Sequence, residues 1–375
     1  MRSNSRPSTP TLQSRAAGGR LTIDLATLRA NWAALAKRSG SAATGAVVKA
    51  DAYGLGIDPV VRTLRQAGCE TFFVALLDEG LRARTATPDA AIYVLNGLFA
   101  GAAPLFVAGN LRPVLGSMAE VEEWAAIDLP GKPPAAIHVD TGMNRLGLTL
   151  AEARILAGRS DLLKAVRPAL VMSHLACSDD PDNRMNPAQL ERFREVGSLF
   201  PGVPASLANS GGILLGRDYH FDLTRPGIAL YGGRASAVMP PLSPVVTLQA
   251  RVILVREADA GDTVGYGAAE TLKRRSRIAV LSAGYADGYH RAAGSSDARP
   301  GARVHIRGKF APLIGRVSMD LMTADVTGVP GVQRGDWAEL FGPHIPIDEA
   351  ASHAGTVGYE FLTGLGRRYE RIYLP

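Results

Sequence analysis

The chain has 375 residues, 46% of them hydrophobic and 20% charged, which is enough to bury a large core and to divide into two domains. Its formal charge of +6 shrinks once residues 1–20 are set aside. Arg2, Arg6, Arg15 and Arg20 meet no acid there, so 37 of the 41 basic residues remain against 35 acids and the body gives little support to nucleic-acid binding.

In chain order, residues 1–18 read as a disordered, basic arm rich in Ser, Thr and Pro. The arm has no apolar stretch of the signal-peptide kind, and export is therefore unsupported. Residues 19–243 alternate short apolar runs with helix-like stretches. The runs near 46–50, 72–76, 92–95, 112–116, 136–140, 169–174, 205–208 and 222–230 predict strands. Ser117-x-x-Glu120 and Thr149-x-x-Glu152 predict helix starts as capping boxes, and Asn186-Pro187 predicts an N-cap followed by proline at the first helical position. The uncharged stretch from Ala90 to Leu111 is broken by Asn96, Gly97, Gly101, Pro104, Gly109 and Asn110, which suits two short buried elements better than a membrane span.

Eight strands alternating with helices is the count of a TIM (β/α)8 barrel, with a doubly wound open sheet as the competing arrangement. Residues 244–375 change texture. Val245–Ile253 opens a series of alternating, β-branched runs separated by Gly261-Asp262, Arg307-Gly308-Lys309 and Arg334-Gly335-Asp336, which predicts a second, mostly β domain. Cys69 and Cys177 stand alone, with no Cys-x-x-Cys and no His/Cys cluster, a pattern that suggests a reducing cytoplasm and no structural zinc.

The chemistry gathers at the C-terminal ends of the predicted barrel strands, where such barrels place active groups. Val47-Val48-Lys49 is an apolar run that ends on a lysine and breaks into Ala50-Asp51-Ala52-Tyr53-Gly54. Burying that ammonium lowers its pKa, which is what imine chemistry with a carbonyl cofactor requires; a surface lysine closing a strand is the plainer reading. The loops after strands seven and eight read Asn209-Ser210-Gly211-Gly212 and Arg225-Pro226-Gly227-Ile228, glycine turns whose N–H groups suit a phosphate dianion. Arg145 and His174 follow strands five and six. With Lys49 and Arg225 they describe a cationic mouth suited to a phosphorylated aromatic aldehyde.

Taken in order, these motifs resemble the alanine racemase family of fold-type III pyridoxal-phosphate enzymes. The resemblance covers about residues 20–373 and continues through Asp140-Thr141-Gly142-Met143-Asn144-Arg145-Leu146-Gly147, Ser173-His174, Gly265-Tyr266-Gly267, Gly284-Tyr285-Ala286-Asp287-Gly288, Gly315-Arg316-Val317-Ser318-Met319-Asp320 and Tyr359-Glu360. It implies a cytoplasmic homodimer that uses pyridoxal 5'-phosphate to interconvert L- and D-alanine by a two-base mechanism, for peptidoglycan or for catabolism, with a broad-specificity or serine/lysine racemase as the alternative. Lys49 would carry the cofactor and act as one base. Tyr266, reaching across from the partner subunit, would be the other.

The resemblance also puts Tyr53, Ser210, Tyr359, Gly227 and Ile228 at the cofactor phosphate, with Asn209 and His174 nearby. It puts Arg225 on the pyridine nitrogen and Arg145 on the phenolic oxygen. Arg145, Met319, Tyr285 and Arg291 would meet the substrate or line its entry. His138 departs from the family, many members of which carry a carbamylated lysine there to position the arginine; Asp140 or another anion would have to do that here. No metal is implied. The span of β-like sequence with Tyr266 argues against a non-catalytic cofactor carrier, and Arg225 with no cysteine after 177 argues against a related decarboxylase.

Overall fold

The structure, a computed structural model, describes residues 16–238 and 240–375. Leu25–Val245 forms one compact unit, and Val246–Pro375 together with the described residues before Leu25 forms another. Most of the predicted arm lies outside the described residues.

In the first unit, seven strands pair in parallel and in chain order: Ala46–Val47, Thr71–Val74, Ala91–Val94, Arg112–Leu115, Ala135–His138, Pro168–Met172 and Ala205–Ser206. Ala43–Thr44 pairs in parallel with Leu223–Thr224. The N–H of Gly45 then bonds Thr224 O at 2.9 Å, that of Val47 bonds Pro226 O at 2.9 Å, and that of Arg225 bonds Ala208 O at 2.9 Å. These bonds close the ring as the predicted eight-stranded barrel. Parallel strands covered on both faces need continuous apolar runs. The sequence supplies them: the last three residues of Thr71–Val74, Ala91–Val94 and Arg112–Leu115, and all four of Ala135–His138, are buried.

The helix starts follow local chemistry. Ser117 and Thr149 cap Met118–Ala126 and Leu150–Ala157 as predicted, accepting the N–H of Glu120 at 3.3 Å and of Glu152 at 3.2 Å. The prediction at Asn186 is displaced. The helix runs Met185–Leu199 and opens two residues before Pro187: Asn183 Oδ1 accepts the Met185 N–H at 3.1 Å, while Asn186 turns inward and donates to Asp180 O. The uncharged stretch resolves into strand Ala91–Val94 and helix Ala103–Ala108, and no helix of the described residues is long and apolar enough to cross a membrane.

The second unit is a mainly antiparallel sheet around the 13-residue strand Val246–Ala258. One boundary differs from the sequence expectation. Gly19–Asp24, counted there with the barrel, pairs antiparallel with Val246–Ala258 and parallel with Glu370–Leu374. The reason is its period-two pattern: Leu21 and Ile23 share one buried face of a sheet with partly exposed residues between them, unlike the uninterrupted runs of the barrel strands.

Candidate active site

Lys49 follows the first barrel strand directly. The Val48 N–H is fixed to Phe73 O at 2.8 Å, and the chain then enters a turn in which Ala50, Asp51, Ala52 and Tyr53 all have φ between 53° and 56°. Four successive non-glycine residues in the left-handed region carry about 1–2 kcal/mol of strain each. Bonds from the Ala52 N–H to Val48 O and from the Gly54 N–H to Ala50 O hold the turn. Asp51 Oδ1 adds to them, accepting from the Ile57 N–H and from Arg82. Strain held this firmly is typical of functional sites. The turn leaves Lys49 half-buried. Burial first, and then repulsion from Arg145, lowers its pKa against the opposing pull of Glu79.

After strand five, Asp140 folds the chain back on itself. Its carboxylate accepts the N–H groups of Gly142 at 2.7 Å, Met143 at 2.8 Å and Asn144 at 2.7 Å. The loop presents Arg145, which with His138, Asn96, Ser117 and Glu120 lines a cleft of about 240 Å³. Asp140 is thus occupied by backbone, and no ion pair among the described residues reaches Arg145. Gly147 closes this loop at φ 114°, and a Cβ there would lie 2.6 Å from Asp140 N. Gly147→Ala is therefore expected to destabilise the unit by about 3 kcal/mol, from backbone strain and overpacking together. Urea unfolding of the variant checks this; an unchanged midpoint would contradict it.

His138 is buried, and burial, helped by the positive charge of Arg225, pushes it down from 6.5 to about 4. Because the folded pKa is depressed, the unfolded chain takes up a proton that the folded one refuses. The stability contributed by neutral His138 is complete above about pH 6.5 and is lost as the pH falls to about 4, an acid destabilisation of about 3 kcal/mol. Denaturant midpoints compared across that window for the parent and for His138→Asn should show a shallower slope in the variant.

The other barrel-mouth groups crowd around Arg225, which is 3% exposed. Its guanidinium donates to Ser206 Oγ and, at 2.6 Å, to Ser173 O, and burial lowers its pKa to about 9. Half-buried His174 is held well below its ordinary pKa by burial and then by Arg225, Arg145, His138 and Lys49; its carbonyl is anchored by Gln189 Nε2 at 2.9 Å. Ser206 escaped the sequence reading. The one available signal was a hydroxyl at the inner end of an otherwise apolar strand.

The two glycine loops meet. Asn209 caps Ser210–Leu215, accepting the Gly212 N–H at 2.9 Å and the Ser178 hydroxyl at 2.8 Å. Ser210 Oγ accepts the N–H groups of Gly227 at 2.8 Å and Ala229 at 3.3 Å, which leaves its own hydrogen to donate outward. A Cβ on Gly227 would lie 2.3 Å from the Tyr53 hydroxyl, so only glycine allows that hydroxyl so close. Tyr53 is itself steadied by the Tyr231 ring, whose centroid is 4.7 Å away and whose hydroxyl bonds Val47 O. Ile228 follows at the start of the turn Ile228–Tyr231. The structure thus brings together Lys49, Tyr53, Ser210, Gly227 and Ile228 at one end of the barrel, with Arg225, His174, Asn209 and Arg145 on the neighbouring strand ends. A cradle with hydroxyl donors, closed to side chains at Gly227, beside a lysine of lowered pKa, fits a phosphorylated aldehyde.

The remaining sequence candidates stand on the β unit. Tyr266 is 69% exposed at the tip of a hairpin whose strands are Thr263–Val264 and Glu270–Thr271. Gly265 and Gly267 flank it at φ 73°. Glu270, which the sequence reading passed over, fixes this hairpin by accepting the Gly315 N–H at 2.7 Å and the Ser295 hydroxyl. Tyr285 and Met319 are brought together: the Tyr285 N–H bonds Ser318 O at 3.0 Å and the Ala286 N–H bonds Met319 O at 2.9 Å. Arg291 opens the turn Arg291–Ala293, and Tyr359 lies in the helix Gly358–Thr363, each on its own element.

Comparison with known proteins agrees with this division. The family model for the alanine racemase N-terminal domain matches residues 23–235, and that for the alanine racemase C-terminal domain matches residues 245–373. The chain is 51% identical to the biosynthetic alanine racemase of Agrobacterium fabrum, over 95% of this chain and 93% of that protein. It is 46% identical to the catabolic alanine racemase of the same organism, over 96% and 92%, so both kinds of relative are close. Among solved structures, the alanine racemase of Bartonella henselae, which holds covalently bound pyridoxal phosphate, superposes with a TM-score of 0.90 at 39% identity over 96% of this chain and 100% of that one. With a lysine-headed barrel mouth, a β unit carrying an exposed tyrosine, and both family domain models matched in order across residues 23–373, the chain belongs to the alanine racemase family.

Proposed function

We propose that this protein is a pyridoxal-phosphate-dependent alanine racemase, interconverting L- and D-alanine in the cytoplasm as a homodimer with shared active sites. The observation that carries the reading is the cradle of Tyr53, Ser210 and Gly227 beside Lys49, whose ammonium burial keeps easy to deprotonate. Tyr53, Ser210 and the backbone of Gly227 and Ile228 would hold the cofactor phosphate with Asn209, and the family resemblance assigns Tyr359 to the same phosphate. When bound, pyridoxal phosphate supplies the aldehyde that joins the amino acid and the ring that spreads the charge developing at Cα.

Inversion at Cα requires a proton to leave from one face and another to arrive at the opposite face. Lys49 Nζ serves one face, and the Tyr266 hydroxyl of the partner subunit serves the other. The Arg225 guanidinium, even at about 9, keeps its proton near neutral pH, so it donates a hydrogen bond to the cofactor ring nitrogen without protonating it. In that position Arg225 would keep the ring nitrogen unprotonated. Arg145 orients the cofactor's phenolic oxygen and, with the Met319 backbone, the substrate carboxylate. His174 lends its dipole as a neutral imidazole. Tyr285 and Arg291 line the substrate entry.

The cofactor reading is tested by borohydride reduction of the purified protein followed by peptide mass spectrometry. The expected product is a phosphopyridoxyl adduct on the peptide that contains Lys49. An adduct confined to Lys132 or Lys164, or none at all, would contradict it.

A further inference from the structure

Far from these groups in the sequence, the β unit gathers three metal-ligating side chains. His305 lies on the strand Arg303–Ile306 and Glu339 on the strand Trp337–Phe341, where the two are register partners. The chain leaves the second strand through Gly342, whose N–H bonds Ile345 O at 2.7 Å, and this tight turn brings His344 back over Glu339. His344 Nδ1 is 2.8 Å from Glu339 Oε2, and the rings of His344 and His305 stack with centroids 3.8 Å apart and planes at 15°. One ligand atom from each of the three residues lies within 4.8 Å of the others.

The electrostatics of this cluster favour a cation. Glu339 is 5% exposed, and a buried carboxylate is costly unless charge and hydrogen bonds compensate it. Its Oε1 is satisfied by the N–H groups of His344 at 2.8 Å and Ile345 at 3.1 Å, which pin the carboxylate in place and leave Oε2 for a further partner. Among the described residues the side chain that meets Glu339 Oε2 is His344, through Nδ1, with the His305 ring stacked against it. Two imidazole nitrogens and one carboxylate oxygen are a borderline donor set that suits Zn²⁺, whereas Mg²⁺ and Ca²⁺ prefer all-oxygen shells.

We propose that His305, Glu339 and His344 form a binding site for a zinc-class divalent transition metal, with water in the remaining position. The ion takes the place of the hydrogen between His344 Nδ1 and Glu339 Oε2, and the neutral imidazole then carries its one N–H on Nε2. Metal–ligand bonds of about 2.0–2.2 Å in a tetrahedral arrangement bring the ligand atoms to about 3.3 Å from one another. The stacked rings rotate apart to achieve this. His344 has the freedom to do so, its side chain being half exposed, and the same exposure gives the ion its path. Bound metal ties the strand Arg303–Ile306 to the turn after Trp337–Phe341. The site is independent of the proposed racemase reaction. Sequence inspection misses it because Glu339 and His344, five positions apart, form only a pair, and the third ligand, His305, lies 34 positions before Glu339.

The test is equilibrium dialysis of the tag-free, full-length protein against ZnCl₂ with excess MgCl₂ present, alongside His305→Gln and His344→Gln. The expected result is one zinc equivalent per chain in the parent and its loss in each variant. Equal stoichiometry in all three proteins would overturn the proposal. A second reading needs no variant: the parent loaded with Co²⁺ should show the intense visible bands of a four- or five-coordinate nitrogen-ligated ion. Only the pale spectrum of hydrated Co²⁺ would refute the site.

Discussion

Lys49→Ala is expected to lose racemase activity by more than about 10⁴-fold, because one substitution removes both the proposed covalent anchor of the cofactor and one of the two proposed bases. The fold should survive. Lys49 is half-buried with a cationic Arg145 beside it, so deleting the ammonium relieves desolvation and repulsion while the strained turn from Ala50 to Tyr53 keeps its own hydrogen bonds. The measurements are steady-state turnover of each alanine enantiomer and a thermal melt. A variant that melts with the parent but has no activity supports the assignment. Activity within tenfold of the parent would remove Lys49 from the mechanism.

Tyr266→Phe is expected to slow racemisation by about 10²–10⁴-fold, the range for loss of a positioned acid–base group. The loss should be asymmetric. With Lys49 intact, Cα exchange with solvent persists from the enantiomer whose proton faces Lys49 and collapses from the other. The melting temperature, expected to match the parent's, separates a chemical role from a structural one. Equal residual exchange from both enantiomers would contradict the two-base reading.

Much of this architecture is legible before any coordinates. Continuous apolar runs such as Phe72-Phe73-Val74 and Ala136-Ile137 mark parallel strands because both faces must be covered, and the capping boxes at Ser117 and Thr149 declare their helices locally. What stayed hidden is non-local or backbone-borne. Gly19–Asp24 alternates as a strand does, but the sheet it joins is set by partners more than two hundred residues away. Nothing in Ala50-Asp51-Ala52-Tyr53 announces a left-handed turn, since those residue types disfavour it and tertiary bonds impose it. Asp140, a candidate partner for Arg145 by sequence, is occupied instead by three backbone amides. Ser206 and Glu270 act by fixing Arg225 and the Tyr266 hairpin, a role that depends on neighbours rather than on motif.

The most direct test of the central claim follows purified protein with L-alanine and pyridoxal phosphate in D₂O, reading optical rotation and Cα deuteration together. The expected result is rotation decaying to zero as deuterium fills Cα in both enantiomers. Alanine that keeps its configuration and its protium, in the presence of bound cofactor, would contradict alanine racemisation by this protein.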